Sequence, residues 1–96
     1  MTVRYTRDAL QDLNEISSYL AERSPSAAAA VLDTIERTAS RLDRFPYSAQ
    51  ETEMPGVRAT PALPFRYIIF YRARQSDVEI LYVRHAARRR PWEPDR

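Results

Sequence analysis

The chain has 96 residues, 44% hydrophobic and 29% charged, with a formal net charge of +2, which fits one folded domain over 1–96 with a modest core. No window approaches the ~18 consecutive apolar residues of a membrane span. The absence of cysteine excludes disulfides and thiolate metal sites and suits a cytoplasmic protein.

The opening "TVRYT" reads as a short strand with Val3 and Tyr5 on one side. Thr6 is placed to cap a helix from Arg7 to about Glu22, with Asp8 favourable to its dipole. Ala9, Leu13, Ile16 and Leu20 recur at helical spacing and predict its buried stripe. Ser24-Pro25 starts a second helix, serine at the cap and proline at the first helical position. It should run to about Arg44, burying Ala28, Val31, Ile35, Leu42 and Phe45, and form an antiparallel hairpin with the first.

Residues 46–56 read as a polar loop containing Gly56, the only glycine. A strand near 57–62 follows, then "PFRYIIFYRA" and "DVEILYVRH", two β-rich runs flanking a turn. The expected fold class is α+β, β-α-α-β-β-β, a mainly antiparallel sheet packed against an N-terminal helical hairpin.

A turn centred between Gln75 and Ser76 sets a register. It opposes Arg72 to Glu79, Phe70 to Leu81, Ile68 to Val83 and Arg66 to His85. Tyr67, Tyr71 and Tyr82 then share one sheet face, suited to a partner that is apolar on one side and wet on the other.

All fifteen basic residues are arginine, and four of them lie between Arg84 and Arg90 without an acid among them. Asp8, Asp12, Glu15 and Glu22 sit in the first helix, so the two ends of the chain oppose in charge. The stretch "YVRHAARRRPW" also holds the only histidine and the only tryptophan. Residues 86–96 form a basic C-terminal tail. Its Arg88, Arg89 and Arg90 either bind an acidic surface or remain solvated, and Trp92 is expected against the sheet or the first helix. His85 can serve as acid or base near neutrality, or simply hold the end of a strand. One glycine rules out a glycine-rich phosphate loop, and no metal or cofactor site is expected.

In order and spacing, "VRYTRDALQDLNEISSYLAERSP", "IERTASRLDRFP", "LPFRYIIFYR" and "VEILYVRHAARRRPW" resemble the RelE/ParE toxins of bacterial type II toxin–antitoxin systems. The resemblance covers almost the whole chain. It implies a cytoplasmic toxin of this fold, associated with plasmid stabilization and neutralised by a cognate, ParD-like antitoxin.

The family divides by mechanism. RelE-like members cut mRNA on the ribosome, and ParE-like members are associated with inhibition of DNA gyrase. Metal-independent RNA cleavage needs proton transfer and stabilisation of a dianionic transition state. Arg66, Arg84 and His85 are the candidates for that work, with Arg88 nearby. Two departures oppose it: Ile68 stands in the slot where RelE-like nucleases carry arginine, and no tyrosine follows Tyr82. "VRHAARRRP" looks like the ParE-side pattern Val-Leu-His-Gly-Ala-Arg, with Ala86 replacing glycine. The expected role is therefore growth inhibition by binding a cellular target, DNA gyrase, rather than by catalysis, with Tyr67, Tyr71, Tyr82, Arg84, Arg88, Arg89, Arg90 and Trp92 as candidate contacts with the target or the antitoxin. Ribosome-dependent cleavage is the alternative, and a member that retains only partner binding is a third reading.

Overall fold

The computed structural model describes residues 2–94, so the last two residues of the 86–96 tail lie outside the described residues. Strand β1 (Thr2–Tyr5) leads into helices α1 (Arg7–Ala21) and α2 (Pro25–Ser40), followed by a 3₁₀ turn at Arg41–Asp43. Strands β2 (Gln50–Glu51), β3 (Arg58–Pro61), β4 (Tyr67–Ala73) and β5 (Asp77–His85) complete the chain. The sheet order is β1-β5-β4-β3-β2. β1 is an edge strand parallel to β5, and every other pairing is antiparallel.

Both helix starts form where the capping residues predict. The Thr6 hydroxyl accepts from the Ala9 N–H, and the Ser24 hydroxyl accepts from the Ala27 N–H one residue before Pro25. The second helix is shorter than its apolar spacing implies. At Arg41 the backbone tightens from about 3.6 to about 3 residues per turn, which rotates later side chains off the helical stripe. Leu42 stays buried, but Phe45 is exposed. Residues 46–56 also differ from a plain loop, because Gln50 and Glu51 pair with Ala59 and Arg58 as β2. The chain then turns at Met54–Val57, where Val57 N–H donates to the Met54 carbonyl and Gly56 has φ +78°. Proline followed by positive-φ glycine is the signature of a type II turn.

The helical hairpin covers one face of the sheet. Val31, Ile35 and Ala39 from α2 and Ala9 from α1 meet Ile69, Tyr71, Val78, Ile80 and Val83. Val3, Tyr5, Leu13, Ile16 and Leu20 pack around this core. Tyr71 is fully buried, and its hydroxyl donates to the Pro46 carbonyl at 2.9 Å, so its polar tip is satisfied inside the core.

The β4–β5 register holds near the turn and then changes. Ala73, Arg72 and Tyr71 oppose Val78, Glu79 and Ile80, and Arg74 N–H donates to the Asp77 carbonyl. A β-bulge at Phe70/Tyr71 leaves Leu81 as the extra residue, so Phe70 opposes Tyr82, Ile69 opposes Val83, Ile68 opposes Arg84 and Tyr67 opposes His85. The expected Phe70–Leu81, Ile68–Val83 and Arg66–His85 pairs do not form. Since side chains alternate along a strand, one inserted residue swaps the faces of everything beyond it. Tyr82 therefore lies on the face opposite to Tyr67 and Tyr71, and the three tyrosines do not form one surface. Tyr71 is a core residue rather than a contact residue.

Candidate functional site: a cleft at the end of the last strand

β1 ends at Tyr5, opposite Ile80, whereas β5 continues to His85. Beyond Ile80 the outer edge of β5 is bordered by α1, whose side chains satisfy part of it. The Thr6 hydroxyl, besides capping α1, donates to the Leu81 carbonyl at 3.0 Å. The Asp12 carboxylate accepts from the Val83 N–H at 2.9 Å and from Arg84 Nε at 3.2 Å, through one oxygen. Asp12 and Arg84 are both largely buried as side chains, at 11% and 22% exposure. Their contact anchors the first helix to the last strand. It also joins two residues that the charge pattern had assigned to opposite ends of the molecule.

Next to this contact lies an open cleft of about 480 Å³. Ile16 and Tyr19 of α1 form one wall, Tyr67, Val83 and His85 another, and Arg84, Arg88, Asp12 and Glu15 its polar rim. The His85 ring stands edge-on to Tyr67, centroids 5.3 Å apart, and its Nδ1 accepts from the Ala87 N–H at 3.1 Å. That bond leaves Nε2 to carry the proton of the neutral ring. Burial pushes the Tyr67 hydroxyl above its ordinary value of 10.0, which makes it a poorer source of a phenolate base.

The arginines of the C-terminal segment diverge. Arg88 lines the cleft, Arg89 donates to the Pro94 carbonyl, and Arg90 turns back across the outer face of the sheet. There Trp92 packs edge-to-face on Phe70 at 5.4 Å, and its Nε1 donates to Glu53 at 3.0 Å. Arg90 Nε lies 3.8 Å from the same carboxylate. Trp92 thus meets the sheet, as one of its two expected placements. Glu53 lies below its ordinary value of 4.5; a backbone hydrogen bond within Glu53 lowers it most, and Trp92 and Arg90 add to this.

Arg66 precedes β4, and its carbonyl accepts from the Ala86 N–H at 2.7 Å, so it opposes Ala86 rather than His85. Ile68, in the slot where nucleases carry arginine, opposes Arg84 and is half-buried. Asp12 is the residue that sequence reasoning missed. As an acid beside the apolar stripe it reads as solvent-facing, and only the bulged path of β5 brings Val83 and Arg84 to it. Among the described residues no group of three or more potential metal ligands occurs.

The sequence model described as "ParE toxin of type II toxin-antitoxin system, parDE" matches residues 3–90. The chain belongs to the ParE toxin family. The ParE assignment also implies an antitoxin as its partner. The chain is similar to "Putative toxin Y4kP" of Sinorhizobium fredii, 36% identical over 89 residues, spanning 93% of this chain and 92% of that protein. Among solved structures it resembles "Chromosomal ParDE TA system from P. aeruginosa", with a TM-score of 0.78 and 23% identity over 88% of this chain and 95% of that one. A second, "YoeB/ParE toxin from Agrobacterium tumefaciens", superposes with a TM-score of 0.62 at 15% identity over 88% and 98% of the two chains. At these identities the two structures support the ParE-type α+β fold alone. Among the described residues no helix is long and apolar enough to cross a membrane.

Proposed function

We propose that this ParE-family toxin inhibits growth in the cytoplasm by binding DNA gyrase, and that its antitoxin holds it inactive. The observation that supports binding over cleavage is the pairing of Arg84 with Asp12 beside His85, together with the isoleucine at position 68. Arg84 is engaged by Asp12, Arg66 opposes Ala86, and an isoleucine occupies the remaining slot. A dianionic transition state needs preorganised positive charge aimed at it; of the three candidate positions one is isoleucine and a second, Arg84, is already paired with Asp12. Arg88, Arg89, Arg90 and Tyr82 remain candidate contacts with the target or the antitoxin, with Tyr67 at the cleft and Trp92 on the outer face.

Induction of the toxin without antitoxin tests this reading. The expected result is a DNA-damage response with altered plasmid supercoiling. Codon-phased mRNA cuts in primer extension, without gyrase-linked damage, overturn it. One observation favours the alternative of ribosome-dependent cleavage: Tyr67, Arg84, His85 and Arg88 share a single cleft. On that alternative His85→Ala abolishes toxicity; on the binding reading it leaves most of it.

A further inference from the structure

The turn that follows α2 carries an aromatic projection. Phe45 and Tyr47 are 61% and 60% exposed on either side of Pro46, although aromatic side chains contribute most when covered. The backbone beneath them is held from several sides. The Tyr71 hydroxyl donates to the Pro46 carbonyl, and the Ser48 N–H and hydroxyl both donate to the Phe45 carbonyl. Arg58 donates to the carbonyls of Tyr47 and Ala49, and its guanidinium lies 5.2 Å from the Tyr47 ring centroid. A projection on a turn already ordered in this way loses little conformational freedom when a partner covers it.

Beside the projection the surface is concave. An open groove of about 300 Å³ lies between β1 and the two helices, lined by Val3, Tyr5, Leu10, Leu13 and Leu32, with Glu36 from the second half of α2. Glu36 is its one charged lining residue, and Leu10 is 55% exposed. The groove shares no lining residue with the His85 cleft. Its last lining residue along α2 is Ser40, and the 3₁₀ turn that joins Ser40 to the projection packs against β1. At about 2 Å per residue in that turn, Phe45 lies within about 15 Å of Ser40 along the backbone. The same turn rotates Phe45 off the α2 stripe, so the chain does not fill its own groove.

Projection and groove are complementary in shape and in charge. An apolar knob faces an apolar trough, and Arg41 and Arg44 outnumber Asp43 beside Phe45, whereas the trough carries Glu36. Because the two features are neighbours on one surface, a two-fold axis between them lets each of two copies fill the other's groove at once, a closed contact. We propose that the toxin, when free of antitoxin, forms a two-fold dimer in which Phe45 of each chain enters the groove of the other and Arg44 meets Glu36. Four rings about 60% exposed, with the groove surfaces they cover, bury on the order of 1,000 Å², the lower end of specific interfaces. The dimer therefore exchanges with monomer at micromolar concentration. Neither contact uses a residue of the His85 cleft.

Sedimentation velocity of the full-length toxin, purified without antitoxin and run as a concentration series, tests this. Phe45→Ser and Leu10→Glu alter exposed side chains, one on the knob and one in the groove, and a melting curve checks that each is folded. The wild type should pass from a one-chain to a two-chain mass, and each variant should raise the dimer Kd about tenfold or more. An equimolar mixture of the two variants should associate more tightly than either alone, because the mixed pair keeps one intact Phe45–groove contact. A one-chain mass up to about 1 mM overturns the proposal. So does a dimer that neither variant weakens, a mixture no tighter than its components, or growth beyond two chains. Weaker binding of the antitoxin or of gyrase by these variants, in a toxin that stays monomeric, gives the surface to that partner and also overturns it.

Discussion

Replacing Asp12 by alanine removes two bonds from one carboxylate oxygen, those from the Val83 N–H and Arg84 Nε. Hydrogen bonds to a charged group contribute about 1.5–3 kcal/mol each, much of it the cost of leaving a buried partner unsatisfied. The two losses do not add fully. Arg84 retains 22% exposure and can turn toward water, so its share is discounted, whereas the Val83 N–H faces the helix wall. A net loss of about 2–3 kcal/mol follows. For a domain of this size each kcal/mol lowers the melting temperature by about 4–8 °C, so Asp12→Ala should melt ~10–20 °C below wild type. Asp12→Asn keeps an oxygen acceptor for Val83 and should lose only about 1 kcal/mol. Asp8→Ala, exposed in the first turn of the same helix, should lose at most about 1 kcal/mol through the dipole. Thermal melts by circular dichroism measure all three. An Asp12→Ala protein melting within ~3 °C of wild type, under the same conversion, refutes the claim that this carboxylate ties α1 to β5.

Trp92 is the only tryptophan, so its fluorescence reports the contact with Phe70 and Glu53 directly. Because the folded value of Glu53 is depressed, the stabilisation is present above its ordinary 4.5 and is lost as pH falls through the lower folded value. The emission should therefore be steady near neutrality and change in that acidic window; Glu53→Gln should show the changed emission already at pH 7. Gly56→Ala places a Cβ 3.6 Å from Arg72 Nε, which is ordinary contact, so the positive φ alone sets its cost. That cost is about 1–2 kcal/mol in a denaturant titration. Tyr71→Phe leaves the Pro46 carbonyl without its buried donor and should lose about 1 kcal/mol by the same titration.

The elements were legible where local chemistry sets them. Thr6 and Ser24-Pro25 mark helix starts through their own hydrogen bonds, and the apolar stripes of both helices point to the core. The turn at Gln75-Ser76 fixed the first three pairs of the hairpin. Beyond them, the bulge left no mark in the sequence, since Leu81 and Tyr82 are both ordinary strand residues and no glycine signals the extra position. From that single residue followed the exchanged faces of Tyr67 and Tyr82, the partner of His85, and the approach of Arg84 to Asp12. β2 was hidden for a different reason. Two polar residues, Gln50 and Glu51, show no alternation, and only pairing with β3 makes them a strand. The candidate site was therefore legible as a set of residues and not as a geometry. His85, Tyr67, Arg84 and Arg88 do meet, while Tyr71 enters the core and Arg90 and Trp92 close over the far side of the sheet.

The central claim is that toxicity acts through gyrase binding without a proton-transferring His85. Purified toxin, wild type and His85→Ala, assayed for inhibition of gyrase-catalysed supercoiling alongside cleavage of ribosome-bound mRNA, tests it most directly. The account predicts that both proteins inhibit supercoiling to within a few-fold and that neither cuts mRNA. Codon-phased cuts by the wild type that His85→Ala abolishes, with gyrase unaffected by either protein, would contradict it.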